Sequence, residues 1–227
     1  MEVVYIAEPV LSPDTNKLIA VEVLSRFYSE SGCSLSTQMV LSMFTSTMKI
    51  NLLNSQLNAI VKFRDFFERH GILCSVNVDY ETCLYIRRDI QTQETILKNK
   101  FLVLEISETY PVLTQEYDVI PFLLSLTEYI WLDDFGSGNS TMSSAMKNKY
   151  HAIKLDKLFY QNNTGKPHFK VFVEELKKVC PNIIAEGIEN IHYNKLSKEA
   201  GLWGGGQGYF FPSVPLSEIK QINSAWL

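Results

Sequence analysis

The sequence predicts an α/β protein whose parallel strands close into a (β/α) barrel opened by a hairpin. Three observations predict it. Short apolar, β-branched runs recur along the 227 residues. Longer polar or amphipathic stretches separate most of them, and strands alternating with helices imply a parallel sheet. Only a turn cluster, LSPDTN, parts the first two runs, which reads as a hairpin.

The runs are VVYIA (3–7), KLIAVEVL (17–24), ILCSVNV (72–78), FLVLEI (101–106), YIWLDD (129–134), AIKLD (152–156), NIIAE (182–186) and GYFF (208–211). Their lengths suit buried strands better than helices. Residues 36–71 are long enough for two helices, closed by Gly71, and 118–127 and 168–179 read as one helix each. About eight strands in a chain of this length favour a closed barrel. An open doubly wound sheet is the alternative, and no G-x-G-x-x-G follows an early strand to support its dinucleotide-binding version. The glycine run at 204–206 reads as a tight loop before the last strand. With no internal repeat, low-complexity segment or Pro/Gly/Ser-rich linker, residues 1–227 are expected to form one domain.

Composition narrows the function. Hydrophobic residues make up 46% of the chain and aromatics 12%, enough for a sizeable core. The formal charge is −4, from 25 acidic and 21 basic residues, and no basic stripe appears, so duplex nucleic acid is not an expected partner. A small anionic ligand needs a metal or a few placed cations. Cys33, Cys74, Cys83 and Cys180 form no C-x-x-C pair and read as buried reduced thiols of a cytoplasmic protein. The four histidines are scattered, which argues against a histidine-based metal site or triad. The start does not read as a signal peptide, and no apolar stretch approaches the ~20 residues of a membrane span.

The chemistry lies at the strand ends. Glu22, Asn77, Glu105, Asp133 with Asp134, Lys154 and Glu186 fall within or at the end of successive runs, and Gln207 stands just before the last. In a (β/α) barrel the strand C-termini share one rim, which carries the active site. Five of these groups are carboxylates, and their mutual repulsion calls for divalent cations. Carboxylate and amide oxygens without Cys or His favour Mg²⁺ or Mn²⁺ over Zn²⁺. Neighbours on an ideal strand point to opposite faces, so Asp134 reaches the rim only if the chain turns there, and FGSG supplies the turn. An Asp bridging two metals beside a second Asp fits a two-metal hydrolase. Lys154, between apolar neighbours, is suited to holding and activating a metal-bound water. Arg26, four residues after Glu22, is either its surface ion-pair partner or a phosphate ligand.

These residues resemble the EAL-domain family of cyclic di-GMP phosphodiesterases. The naming motif stands here as Glu22-Val23-Leu24, followed in order by VNV (76–78), LEISE (104–108), DDFGSG (133–138), IKLD (153–156), AEGIE (185–189) and QGYFF (207–211). The resemblance implies a modified TIM (β/α)8 barrel with an antiparallel first strand, and hydrolysis of cyclic di-GMP to linear pGpG on two divalent cations, Mg²⁺ or Mn²⁺. Carried over residue by residue, Glu22, Asn77, Glu105 and Asp133 look like ligands of one metal, and Asp133, Asp134 and Glu186 like ligands of the other. Lys154 and Gln207 look like the groups around the attacking water, with Glu186 beside them in the catalytic set. Glu108 looks like the residue that steadies the loop after Asp133. Arg26 and Asp156 lie near the substrate in this reading.

The departures fall elsewhere. Glu8 precedes Pro9 where the family has Gln near the substrate pocket, and an acidic residue there weakens binding of an anion. The Phe-Ile-Pro-x-x-Glu block is absent. Asp79 stands where Ser is usual, and NSTMSS follows DDFGSG. Two functions follow from the resemblance. One is an active phosphodiesterase lowering a messenger of motility, fimbriae and biofilm. The other is a weak or inactive member that binds cyclic di-GMP or a protein partner to regulate gene expression. A homodimer is an expectation from the family.

Overall fold

The computed structural model describes residues 1–107, 119–138, 145–146, 148–206, 208 and 210–227. The chain opens with β1 (Glu2–Leu11) and β2 (Leu18–Tyr28), the antiparallel hairpin expected, with both strands longer than their apolar runs. A two-residue strand β3 (Ser34–Leu35) pairs with the end of β2. Then come α1 (Thr37–Ser42), α2 (Ser46–Val61), α3 (Arg64–His70), β4 (Leu73–Val78), α4 (Tyr80–Arg88), α5 (Ile90–Lys98) and β5 (Leu102–Ser107). The second half holds α6 (Ile120–Leu126), β6 (Ile130–Phe135), β7 (Ala152–Leu155), α7 (Lys157–Asn163), α8 (Pro167–Lys177), β8 (Ile183–Ala185), α9 (Ile191–Glu199), β9 (Gly204–Gly206) and β10 (Val214–Pro215). Two short 3₁₀ turns, Leu216–Gln221 and Ser224–Trp226, end it.

The strands close in the order β1-β9-β8-β7-β6-β5-β4-β2, and β2 returns to β1. From β2 to β9 every barrel pairing is parallel, while β1 runs antiparallel to both its barrel neighbours. The expected modified TIM barrel with an inverted first strand is therefore the fold.

Two readings of the secondary structure need correction. The last barrel strand is the glycine run 204–206, not GYFF, whose described residues lie outside any strand. Close approach explains the choice: a Cβ on Gly204 would sit 2.9 Å from Ile19 and 3.0 Å from Val10, so only glycine closes the barrel against β1 there. Apolar patterning cannot find a strand without side chains. The 36–71 segment holds three helices rather than two. Ser36 and Thr45 each cap a new start by accepting from Met39 N and Met48 N, dividing what looked like one amphipathic stretch.

The barrel interior is a dry plug. Val10, Ala20, Val103, Trp131, Ala152 and Ile184 form one buried cluster, with Ile19, Leu73, Tyr129 and Trp203 packed against it. The larger core lies between barrel and helices; α2 gives it Leu53, Leu57 and Ile60, spaced for one helical face. Cys74, Cys83 and Cys180 are buried free thiols, as expected, but Cys33 is an exposed free thiol in the turn before β3. No helix among the described residues is long and apolar enough to cross a membrane.

Candidate metal centre

Strand periodicity places the site. Side chains two apart on a strand share a face, and each plug residue is followed two positions on by a polar group: Ala20 by Glu22, Val103 by Glu105, Trp131 by Asp133, Ala152 by Lys154, Ile184 by Glu186. On β4, Ser75 precedes Asn77 in the same way. On the reversed β1 the order inverts, so Glu8 lies two before Val10 and stands directly across from Glu22. Seven polar side chains thus occupy one level above the plug.

Lys154 holds the centre of that level. Its Nζ lies 2.7 Å from Glu22 Oε2, 2.5 Å from Glu105 Oε1, 2.8 Å from Glu186 Oε1 and 3.1 Å from Asp133 Oδ1. Asn77 Nδ2 donates to the other oxygen of Glu22 at 2.7 Å. An ammonium has three donors and cannot serve four carboxylates fully. The shortfall is visible: Glu105 Oε1 and Asp133 Oδ1 are within ion-pair reach of Lys154 but out of hydrogen-bonding geometry, and Glu105 Oε2 has no hydrogen-bond partner. Burial is nearly complete, with the Lys154 side chain 1% exposed and that of Glu105 0%.

The electrostatics follow. Burial, then the charge of Glu22, pushes the Glu105 carboxyl well above the usual carboxylate range. Burial likewise lifts Glu186, to about 8, against the pull of Lys154. Burial works to lower Lys154, but the surrounding carboxylates, Asp133 first, outweigh it and hold the amine well above its ordinary value. Glu8 is raised by burial and by Glu22, with Arg26 opposing.

The Asp133–Asp134 pair reaches the rim as the turn requires. Asp134 takes a left-handed φ of 58° where the β6–β7 register shifts, and an oxygen of each of Asp133, Asp134 and Glu186 lies within 4.8 Å of the others. Gly136, at φ 99°, permits the turn: a Cβ there would meet the Phe159 ring at 2.6 Å.

These residues fit divalent cations. The donors are hard oxygens, the carboxylates outnumber the cation among them, and buried oxygens remain without hydrogen bonds. Glu22, Glu105, Asp133 and Glu186 gather around Lys154, with Asn77 on Glu22 and Asp134 within reach of Asp133 and Glu186.

The remaining expectations divide. Arg26 is not the partner of Glu22. Its guanidinium instead reaches diagonally across the hairpin to Glu8 Oε1 at 2.8 Å. Asp156 caps α7, its Oδ1 accepting from Phe159 N at 2.8 Å. Glu108 and Gln207 lie outside the described residues.

Beside the acidic level opens a cavity of about 650 Å³, walled by Val23, Leu41, Leu52, Leu53 and Val78 and edged by Arg26, Asn77 and Ser107. α1, which buries none of its residues, forms one wall where the family's block is missing. Two contributors were not foreseen. Gln56, buried on α2, donates to Val23 O at 2.5 Å. Lys49 bridges from α2 to Asp79 at 2.7 Å and Glu81 at 3.4 Å. The substitution at Asp79 was the available signal for the second. Nothing in the α2 pattern marked Gln56.

Comparisons with known proteins agree with this architecture. The EAL domain family profile matches residues 2–213. YdiV of Escherichia coli strain K12, an anti-FlhC(2)FlhD(4) factor by name, is 29% identical over 90% of this chain and 89% of its own. The cyclic di-GMP phosphodiesterase PdeH of the same organism is 26% identical over 64% of this chain and 57% of its own. The crystal structure of the EAL-like domain protein YdiV superposes with a TM-score of 0.85 at 24% identity, covering 97% of this chain and 95% of that one. With the profile spanning nearly all of it, the chain belongs to the EAL domain family.

Proposed function

We propose that this chain is a regulatory EAL protein: it binds cyclic di-GMP at the acidic rim with little or no turnover, and acts by binding a protein partner of the FlhC(2)FlhD(4) class. The likeness to YdiV along nearly the whole of both chains carries this reading. The pocket supports it. The arginine best placed to grip a phosphodiester is held by the chain's own Glu8. Mixing the purified chain with FlhC(2)FlhD(4) and following co-elution by size-exclusion chromatography tests it. Separate elution, together with rapid cyclic di-GMP turnover, would overturn it.

A second reading has its own observation. The residues that the resemblance casts as metal ligands include buried carboxylate oxygens of Glu105 and Asp133 without a hydrogen-bond partner, and PdeH is a cyclic di-GMP phosphodiesterase by name. In this reading the chain hydrolyses cyclic di-GMP to pGpG. Glu22, Asn77, Glu105 and Asp133 hold one divalent cation, and Asp133, Asp134 and Glu186 the other. Bound there, Mg²⁺ or Mn²⁺ would neutralise the phosphodiester and lower the pKa of water. The chain's own contributions are orientation and water exclusion. The plug seals the floor, and Lys154 fixes four carboxylates at one level. The test is pGpG release by wild type and Glu22→Ala side by side. Equal rates would discard the site assignment, and no release by folded wild type with Mn²⁺ would discard this reading.

A further inference from the structure

The rim of an anion-binding pocket needs cations free to meet the anion. Among the described residues, the cations at the acidic level and its cavity are already engaged. Arg26 is on Glu8 at 2.8 Å, Lys49 on Asp79 at 2.7 Å, and Lys154 at the centre of four carboxylates. Across the acidic level, six carboxylates (Glu8, Glu22, Glu105, Asp133, Asp134 and Glu186) face two cations, Arg26 and Lys154. Two of the engaging acids, Glu8 and Asp79, stand where this chain departs from its family's pattern.

We propose that Glu8 and Asp79 are selectivity residues: by holding Arg26 and Lys49 they make binding of an anionic cyclic dinucleotide conditional on loaded divalent cations. The inference rests on the reading that the rim and its cavity are the cyclic di-GMP site. The two pairs do not weigh equally. The Lys49–Asp79 side chains are 32% and 43% exposed, so solvent screens that bridge and it contributes little. The Arg26 side chain is 37% exposed, but that of Glu8 is 19% exposed and stands across from Glu22, so the carboxylate's charge acts through less water on the incoming phosphate. Glu8 is therefore the principal residue. A ligand arriving at the metal-free rim meets a net excess of carboxylates, and the Arg26 guanidinium is already taken. Divalent cations reverse the sign of the rim and remove the need for one.

The substitutions that test this preserve the fold. Glu8→Gln is isosteric. Asp79→Ser keeps an N-cap for α4, where Asp79 Oδ1 accepts from Thr82 N. The experiment measures cyclic di-GMP binding by fluorescence anisotropy, once in EDTA and once with Ca²⁺, which takes the same oxygen donors. Thermal melts confirm that each variant is folded. Wild type is expected to bind weakly in EDTA and much more tightly with Ca²⁺. Glu8→Gln is expected to tighten metal-free binding by about tenfold or more, and Asp79→Ser by a few-fold at most. Adding Arg26→Ala to Glu8→Gln is expected to cancel the gain, because the freed guanidinium is its cause. Equal wild-type affinity in EDTA and Ca²⁺, or a Glu8→Gln gain that survives Arg26→Ala, would overturn the inference while leaving the site reading intact. No binding by wild type or any variant, with Ca²⁺ or without, would overturn both.

Discussion

Lys154→Met is the most informative single change in the molecule. It removes an ammonium from between four carboxylates and leaves a side chain of similar length. The groups involved are nearly dry: the Lys154, Glu22 and Glu105 side chains are 1%, 3% and 0% exposed, so solvent screening does not dilute the loss. Removing one partner of a buried ion pair costs about 3–5 kcal/mol. In a chain of this size each kcal/mol moves Tm by about 2–4 °C. The metal-free variant should therefore melt about 6–20 °C below wild type at pH 8, by circular dichroism or scanning calorimetry. At pH 6 the deficit should shrink, because Glu105 and Glu186, with pKa raised by burial, take up protons in place of the lost amine. Saturating Mn²⁺ should raise the variant's Tm by more than wild type's, since the ammonium that repels the metal ion has been removed. A metal-free Tm unchanged by the substitution, or an equal Mn²⁺ shift in both proteins, would refute Lys154 as the charge that holds this cluster together.

Three further outcomes follow from the same cluster. Glu186 has a folded-state pKa of about 8 against an ordinary 4.5, so the folded protein keeps a proton that the unfolded chain releases; metal-free stability should fall as pH rises from 4.5 through 8, and saturating Mg²⁺ should flatten that fall, as thermal melts across the range would register. Glu105→Gln should raise the metal-free Tm, because it takes one of four crowded carboxyl groups from around a single ammonium, yet weaken Mn²⁺ binding in calorimetric titration. Gly136→Ala should cost about 1–3 kcal/mol in denaturant melts and weaken Mn²⁺ binding, since the Cβ meets Phe159 and displaces the turn that presents Asp134.

Much of this architecture was legible in the residues because strands announce themselves by apolar runs and the rim residues end those runs. Glu22, Asn77, Glu105, Asp133, Lys154 and Glu186 were readable as one level because period-two geometry fixes which side each strand-end group takes. The glycine strand β9 was not legible: its role is to be absent as a side chain, and patterning reads side chains. Nor was the partner of Arg26. Sequence proximity suggested Glu22, whereas the guanidinium reaches Glu8 diagonally across the hairpin, from a position paired with Val4, and no spacing within β2 reveals a partner on β1. Gln56 was hidden for the opposite reason. It sits on the buried face of α2 among leucines and satisfies a β2 carbonyl, and a polar residue at a core position of a helix carries no mark of the backbone group it will meet.

Regulation by binding a protein is the central proposal for this chain. Size-exclusion chromatography of the chain mixed with FlhC(2)FlhD(4), with the eluted fractions assayed for pGpG formation from cyclic di-GMP in Mn²⁺, addresses it most directly. The account predicts a co-eluting complex and little pGpG. Separate peaks, with the EAL fraction turning over cyclic di-GMP rapidly, would contradict it.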